Sequence, residues 1–158
     1  MEDVPPKLND VLDTLALLPG RAERIEVLID TAERFRDVPE SIATRPFPKE
    51  RLVPGCESQA YVWWTDREGG TLDYHFAVEN PQGISAKAMA AILQDACSGA
   101  PLAQVAAIPD DVVYTVFGNE LSMGKSMGLM GMVAMVRREA KRRLEARGEG
   151  AAGKSATP

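Results

Sequence analysis

The sequence predicts an α+β fold, and three observations carry that prediction: an alternating apolar stretch that doubles back through a glycine turn, helical periodicity on both sides of it, and a long periodic segment near the C-terminal end. In the hairpin, Ala60, Val62 and Trp64 alternate with Tyr61 and Trp63. After Arg67-Glu68-Gly69-Gly70, the residues Leu72, Tyr74, Phe76 and Val78 alternate with Thr71, Asp73, His75 and Glu79. The second strand therefore has one well-defined apolar face. Upstream, a short helix is expected over about Leu8 to Leu18. Ile25, Leu28, Ile29, Ala32 and Phe35 then recur at helical spacing after the Pro19-Gly20 break, and that helix ends before Pro39. Four prolines and little periodicity between Asp37 and Pro54 read as an extended connection. Downstream, Ser85 can cap an alanine-rich helix from about Ala86 to Cys97, and a second short helix fits Pro101 to Ala107. Leu129, Val133, Val136, Ala140 and Leu144 mark the long C-terminal helix. Its second half carries Arg137, Arg138, Lys141, Arg142, Arg143 and Arg147, which reads as a solvated face favoured by the helix dipole, with docking of an acidic partner as the other reading.

Size and charge narrow the classes. With 158 residues and 45% hydrophobic composition, the chain is expected to be a single domain over 1–158 with an ordered core over about 8–147. Residues 1–7 and the tail 148–158 are small, polar and rich in Gly or Pro, and are expected to fray. A net charge of −5 and a pI near 5.0 oppose binding to nucleic acid through its phosphates. The acidic N-terminus has no signal-like apolar core and no membrane-spanning run occurs, so a soluble, cytoplasmic protein with no membrane partner is expected. Two cysteines and one histidine are too few for a disulfide framework or a zinc site built from Cys and His, so no metal is expected.

Three stretches invite a chemical reading. VVYTVF followed by GNELSMGKSMG looks like a strand running into a phosphate-binding loop, but five residues rather than four separate Gly118 from Gly124, and no magnesium-binding aspartate follows. Nucleotide hydrolysis is set aside. His75 falls on the polar side of its strand and reads as a surface residue without a nucleophile at a recognisable spacing. Cys97, outside these three, falls at a helix end, where a half-buried small residue is expected.

The third stretch, RLVPGCESQAYVWW, puts Cys56 directly after a Pro-Gly bend. Gly55 removes a Cβ and permits a sharp turn that another surface can approach, which suggests a presented thiol. A cysteine tucked under the sheet is the other reading, and this stretch alone leaves both open. The thiolate is the reactive form, and a neighbouring cation favours it. Arg51 is close in sequence and Lys125 is a candidate in space, whereas Glu57 would act in the opposite sense.

Gly55-Cys56-Glu57-Ser58-Gln59 running into an aromatic, apolar strand resembles the hallmark of the SufE-type sulfur-acceptor family. The likeness extends to RAERIEVLIDTAERF with Val38-Pro39, to the alanine-rich helix followed by Ser98-Gly99-Ala100-Pro101, and to LSMGKSMGLMGMVAMV, in the right order over roughly Leu8 to Ala146. It implies a small antiparallel sheet with helices packed on it and a loop presenting Cys56. It also implies that Cys56 takes persulfide sulfur from a pyridoxal-phosphate-dependent cysteine desulfurase for iron–sulfur cluster assembly. The cofactor would belong to the partner and none to this chain. Arg51, Gly55, Glu57, Ser58, Gln59 and Lys125 would support the loop or meet the partner, and iron–sulfur scaffold proteins would be further partners. A scaffold-like, non-catalytic module of the same fold is the competing reading, and monomer and homodimer both remain open. Glu57 stands where the family has Gln, Lys125 where it has Arg, and Met123 where it has Pro. Lysine keeps the charge of arginine but loses its planar bidentate hydrogen bonding.

Overall fold

The structure, a computed structural model, describes the backbone of residues 3–119 and 121–155 and side chains as far as residue 148. In chain order the elements are α1 (Pro6–Ala16), α2 (Arg21–Glu33), β1 (Ala60–Asp66), β2 (Leu72–Val78), α3 (Ile84–Cys97), α4 (Leu102–Ala106), α5 (Val112–Phe117) and α6 (Met123–Ser155), with a single 3₁₀ turn at Lys49–Arg51. This is the α+β arrangement expected: one two-stranded antiparallel sheet, several helices and a long last helix. None of the helices among the described residues is long and apolar enough to cross a membrane.

The hairpin pairs Ala60 with Val78 and Asp66 with Leu72 at its two ends. Its alternation puts Ala60, Val62, Leu72, Tyr74, Phe76 and Val78 on the main core. α3 packs on that face. Its alanines keep it slim, and nine of its residues, from Ala86 to Cys97, are buried, as suits a helix covered by α1, α2, β2 and α6. The apolar face of α6 covers the rest through Leu129, Met132, Val133, Val136 and Ala140.

Several expectations are corrected. The opposite face of the hairpin is not polar: Trp63 and Ala77 are buried beneath the proline-rich segment, with the Phe47 ring edge-on to Trp63 at 4.8 Å. Arg45 fastens that strap by hydrogen bonds to Glu79 at 2.8 Å and to Asp37 at 3.0 Å. Val112–Phe117 is a helix rather than a strand. Its buried Val112, Val113, Val116 and Phe117 occupy i, i+1, i+4 and i+5, the spacing of one helical face. Ser85 does not cap α3, which begins two residues earlier than expected, at Ile84, with Gly83 at its N-cap, after a turn in which Asn80 Oδ1 accepts the Gln82 N–H at 2.9 Å. Residues before α1 are not frayed throughout, since Val4 is 2% exposed and Pro6 opens the helix, where a proline costs no hydrogen bond. Cys97 is fully rather than half buried.

The basic half of α6 is not simply solvated. Arg137 bonds Asp110 and the Ile108 carbonyl, Arg143 bonds Asp66 and Glu139, and Arg147 bonds the Gly70 carbonyl, so these cations pin the helix to the hairpin tip and to the α4–α5 connection. The backbone of α6 is helical to Ser155. The expected tail from residue 148 falls largely outside the residues whose side chains are described, and residues 156–158 lie outside the described residues altogether.

Candidate functional site

Cys56 sits on a looped segment held at both stems. The Val53 N–H donates to the Ala60 carbonyl at 2.8 Å, the Cys56 N–H to Val53 at 3.4 Å, and the Gln59 N–H to Cys56 at 3.1 Å, making two consecutive turns. Gly55 has φ of +71°, a conformation that side-chain-bearing residues rarely adopt. Gln59 also lies at positive φ, +52°, where its carbonyl accepts the Glu79 N–H at 3.2 Å. Next to it, Ser58 accepts from Asn80 at 3.1 Å. These two bonds carry hairpin-like pairing one step beyond the sheet, so the end of β2 holds the cysteine loop.

The loop is laid directly on α6. Gly124, Gly128 and Gly131 are spaced four and three residues apart and so share one helix face. A Cβ on Gly128 would meet the Cys56 backbone, one on Gly131 would meet Val53 and the Pro54 carbonyl, and one on Gly124 would meet the Glu57 carboxylate. This close approach went unrecognised in the sequence, although the spacing of the three glycines was visible in MGKSMGLMG.

Cys56 is partly buried, its side chain packed against the edge of the main core. It opens into a groove of about 270 Å³ whose walls include Glu57, Ser58, Gly83, Lys125 and Leu129. The structure therefore gathers four of the residues singled out, Cys56, Glu57, Ser58 and Lys125, around one cavity. Gly55 and Gln59 contribute backbone geometry instead. Arg51 is elsewhere: its guanidinium lies over the Trp64 ring, 4.4 Å from the centroid, and does not line the groove. The turn at Asn80 to Gly83 and the start of α3 form a wall that sequence reasoning did not anticipate.

The other titratable candidates lie apart from this groove. His75 is half-buried rather than solvent-facing, with Nε2 3.3 Å from Thr65 Oγ1, and burial lowers its pKa against the opposing effect of Asp73. Burial pushes the Cys97 thiol up to about 12. Cys56 is thus the chain's only cysteine with solvent access. Among the described residues no three His, Cys, Asp or Glu side chains are grouped to hold a metal ion.

Taken together, these features describe a small α+β domain that presents one half-sheltered thiol on a hairpin-anchored loop at the mouth of a groove. Its sequence matches the family described as SufE, Fe-S metabolism associated domain, over residues 9–140, and the chain belongs to that family and with it to Fe–S metabolism. An uncharacterized SufE-like protein from Rhizobium etli is 28% identical over 145 residues, covering 88% of this chain and 93% of the relative. The solution structure of a hypothetical protein from Thermus thermophilus superimposes with a TM-score of 0.69 at 25% identity, over 90% of this chain and 98% of that one.

Proposed function

We propose that the protein is a sulfur acceptor and carrier that takes persulfide sulfur from a cysteine desulfurase onto Cys56, stimulates that enzyme and passes the sulfur on to iron–sulfur cluster assembly. The observation that carries this reading is the placement of Cys56, partly covered yet open to a groove where two consecutive turns meet. The Cys56 thiolate attacks the terminal sulfur of the donor persulfide. A new S–S bond forms on Cys56, the donor's S–S bond breaks, and the donor cysteine leaves as thiolate. The proton lost by Cys56 is matched by one gained by the donor, so one thiol and one persulfide become one persulfide and one thiol with no outside oxidant. Pyridoxal phosphate belongs to the donor enzyme, and this chain works in the reducing cytoplasm without a cofactor of its own.

The arrangement supports each requirement of that step. Gly55 lets a foreign surface reach the sulfur, Lys125 supplies a cation in the groove, and partial cover shields a stored persulfide from oxidants. The test is intact-mass and peptide mass spectrometry after incubation with a cysteine desulfurase and cysteine, followed by removal of free sulfide. One extra sulfur on Cys56, absent from Cys97 and absent without the enzyme, is the expected result. An unmodified Cys56 across several desulfurases would remove sulfur relay as the function.

A further inference from the structure

Besides the groove at Cys56, a second and apolar groove of about 190 Å³ lies between α2, α3 and the α5–α6 junction, lined by Ile25, Leu28, Ile29, Phe117 and Leu121. We infer that this groove seats an apolar side chain of the sulfur-donating desulfurase, so that a single donor face covers both it and Cys56. The inference rests on the sulfur-acceptor reading above.

Two observations place the groove inside the donor's footprint. Ile84 and Ser85 line both cavities, so the two are contiguous across the start of α3. Sulfur transfer requires the donor's sulfur to come within bonding distance of Cys56, and a specific interface covers about 800 Å² on each partner, a patch roughly 30 Å across. A groove that shares two residues with the reacting cavity lies within such a patch.

The distribution of exposed apolar side chains points the same way. Among the described residues seven large apolar side chains are exposed: Ile84 at 49% on α3 and Met123 at 78% and Met127 at 60% on α6 stand on elements that line the Cys56 groove, and Ile25 at 41% and Ile29 at 40% on α2 line the second groove. Scattered exposure of this kind is ordinary, but a cluster around a reactive group marks an interaction surface. Interfaces draw most of their affinity from a few apolar anchors entering preformed pockets. This groove is preformed: the Arg24 guanidinium on its rim is fixed by the carbonyls of Thr115 at 2.8 Å and Val116 at 2.9 Å.

The experiment pairs Ile29→Glu and Ile25→Gln with a control at an exposed residue that lines neither groove, Leu17→Glu, in the full chain, using a purified cysteine desulfurase and cysteine. Both groove positions are already half-exposed, and matching thermal melts establish that each variant folds. The expected result is a rise of about tenfold or more in the Kd for the desulfurase, with loading of Cys56 at saturating enzyme within about twofold of the unsubstituted protein and no effect of Leu17→Glu. If the unsubstituted protein takes up sulfur and folded groove variants bind and load equally well, the groove assignment falls and the acceptor reading stands. If the unsubstituted protein forms a dimer that Ile29→Glu dissociates without altering sulfur uptake, the groove seats a second copy of this chain and the inference is overturned. If the unsubstituted protein takes up no sulfur at all, the acceptor reading fails and the groove assignment fails with it.

Discussion

A Cβ placed on Gly128 would stand 3.0 Å from the Cα of Cys56 and 3.4 Å from both the Cys56 Cβ and the Gly55 carbonyl oxygen. The obstacle is loop backbone, which cannot swing aside as a side-chain end can. In Gly128→Ala the helix gains about 1 kcal/mol of propensity, while crowding costs about 1–3 kcal/mol, so global stability changes little or falls slightly. The loop, however, must move. Displacements near 1 Å in a reacting group can cost roughly a hundredfold, and sulfur loading of Cys56 by a desulfurase is expected to drop by about ten- to a hundredfold. Gly148→Ala is the control: nothing lies within 4 Å of its added Cβ. It should raise Tm by up to about 2–4 °C with loading unchanged. Normal loading kinetics in Gly128→Ala would show that loop position does not matter.

That contact also shows why parts of the site were legible in the sequence and others not. The hairpin was readable because a period of two and a glycine turn are local signals, and Cys56 was readable because Pro54-Gly55 bends the chain before it. The local pattern assigns the three α6 glycines no packing role, although a glycine inside a helix costs about 1 kcal/mol and so calls for a packing reason. VVYTVF imitates a strand because β-branched residues favour sheets, and only the burial of its helical face against the core decides otherwise. The burial of Trp63 and the wall formed by Gly83 and Lys125 depend on segments far apart in the chain, and no local pattern encodes them.

Arg51 and Lys125, equivalent as candidate cations in the sequence, should separate in experiment. Arg51→Ala removes a guanidinium from the Trp64 ring and is expected to cost about 0.5–1 kcal/mol in denaturant unfolding while leaving the rate of sulfur loading within about twofold. Lys125→Ala removes an exposed cation from the wall of the Cys56 groove. Stability should be unchanged, and loading should slow several-fold at low ionic strength, with the difference shrinking as salt screens the charge. Equal effects of the two substitutions on loading would contradict the placement of Arg51 outside the groove.

The pH dependence of stability has two separate limbs. Burial holds the His75 pKa below its usual 6.5, so as pH falls through that value the unfolded chain binds a proton more readily than the folded one. Stability is then full above about pH 6.5 and declines toward acid. For Glu139, burial alone would raise the pKa, but hydrogen bonds from Arg142 and Arg143 outweigh it and hold the carboxyl below 4.5. Its contribution is present above that value and is lost as pH falls through the folded-state pKa. Urea midpoints measured from pH 7.5 to 3.5 should fall in both ranges. His75→Gln should flatten the curve between about pH 7 and 5 and leave the acid limb, whereas an unaltered slope there would exclude His75 as its source.

The two thiols should differ in kind rather than degree. Cys97 has no exposed surface and its thiol is pushed up to about 12 by burial, so at pH 8 only about one molecule in ten thousand would carry the thiolate there. Iodoacetamide should therefore modify the native protein once, at Cys56, and the guanidinium-unfolded protein twice. Cys56→Ser should take up neither label in the native state nor sulfur from a desulfurase. Cys97→Ala should retain both, at a stability cost of about 1 kcal/mol for the small cavity left beside α3. Cover from α6 on one side should also slow native alkylation of Cys56 below that of the unfolded chain, since the reagent must enter through the groove. A native rate for Cys56 equal to the unfolded rate would mean that α6 gives the thiol no shelter, and sulfur held there would be open to oxidants. Labelling of Cys97 in parallel with Cys56 would instead reveal an opening of α3 frequent enough to offer the donor a second acceptor.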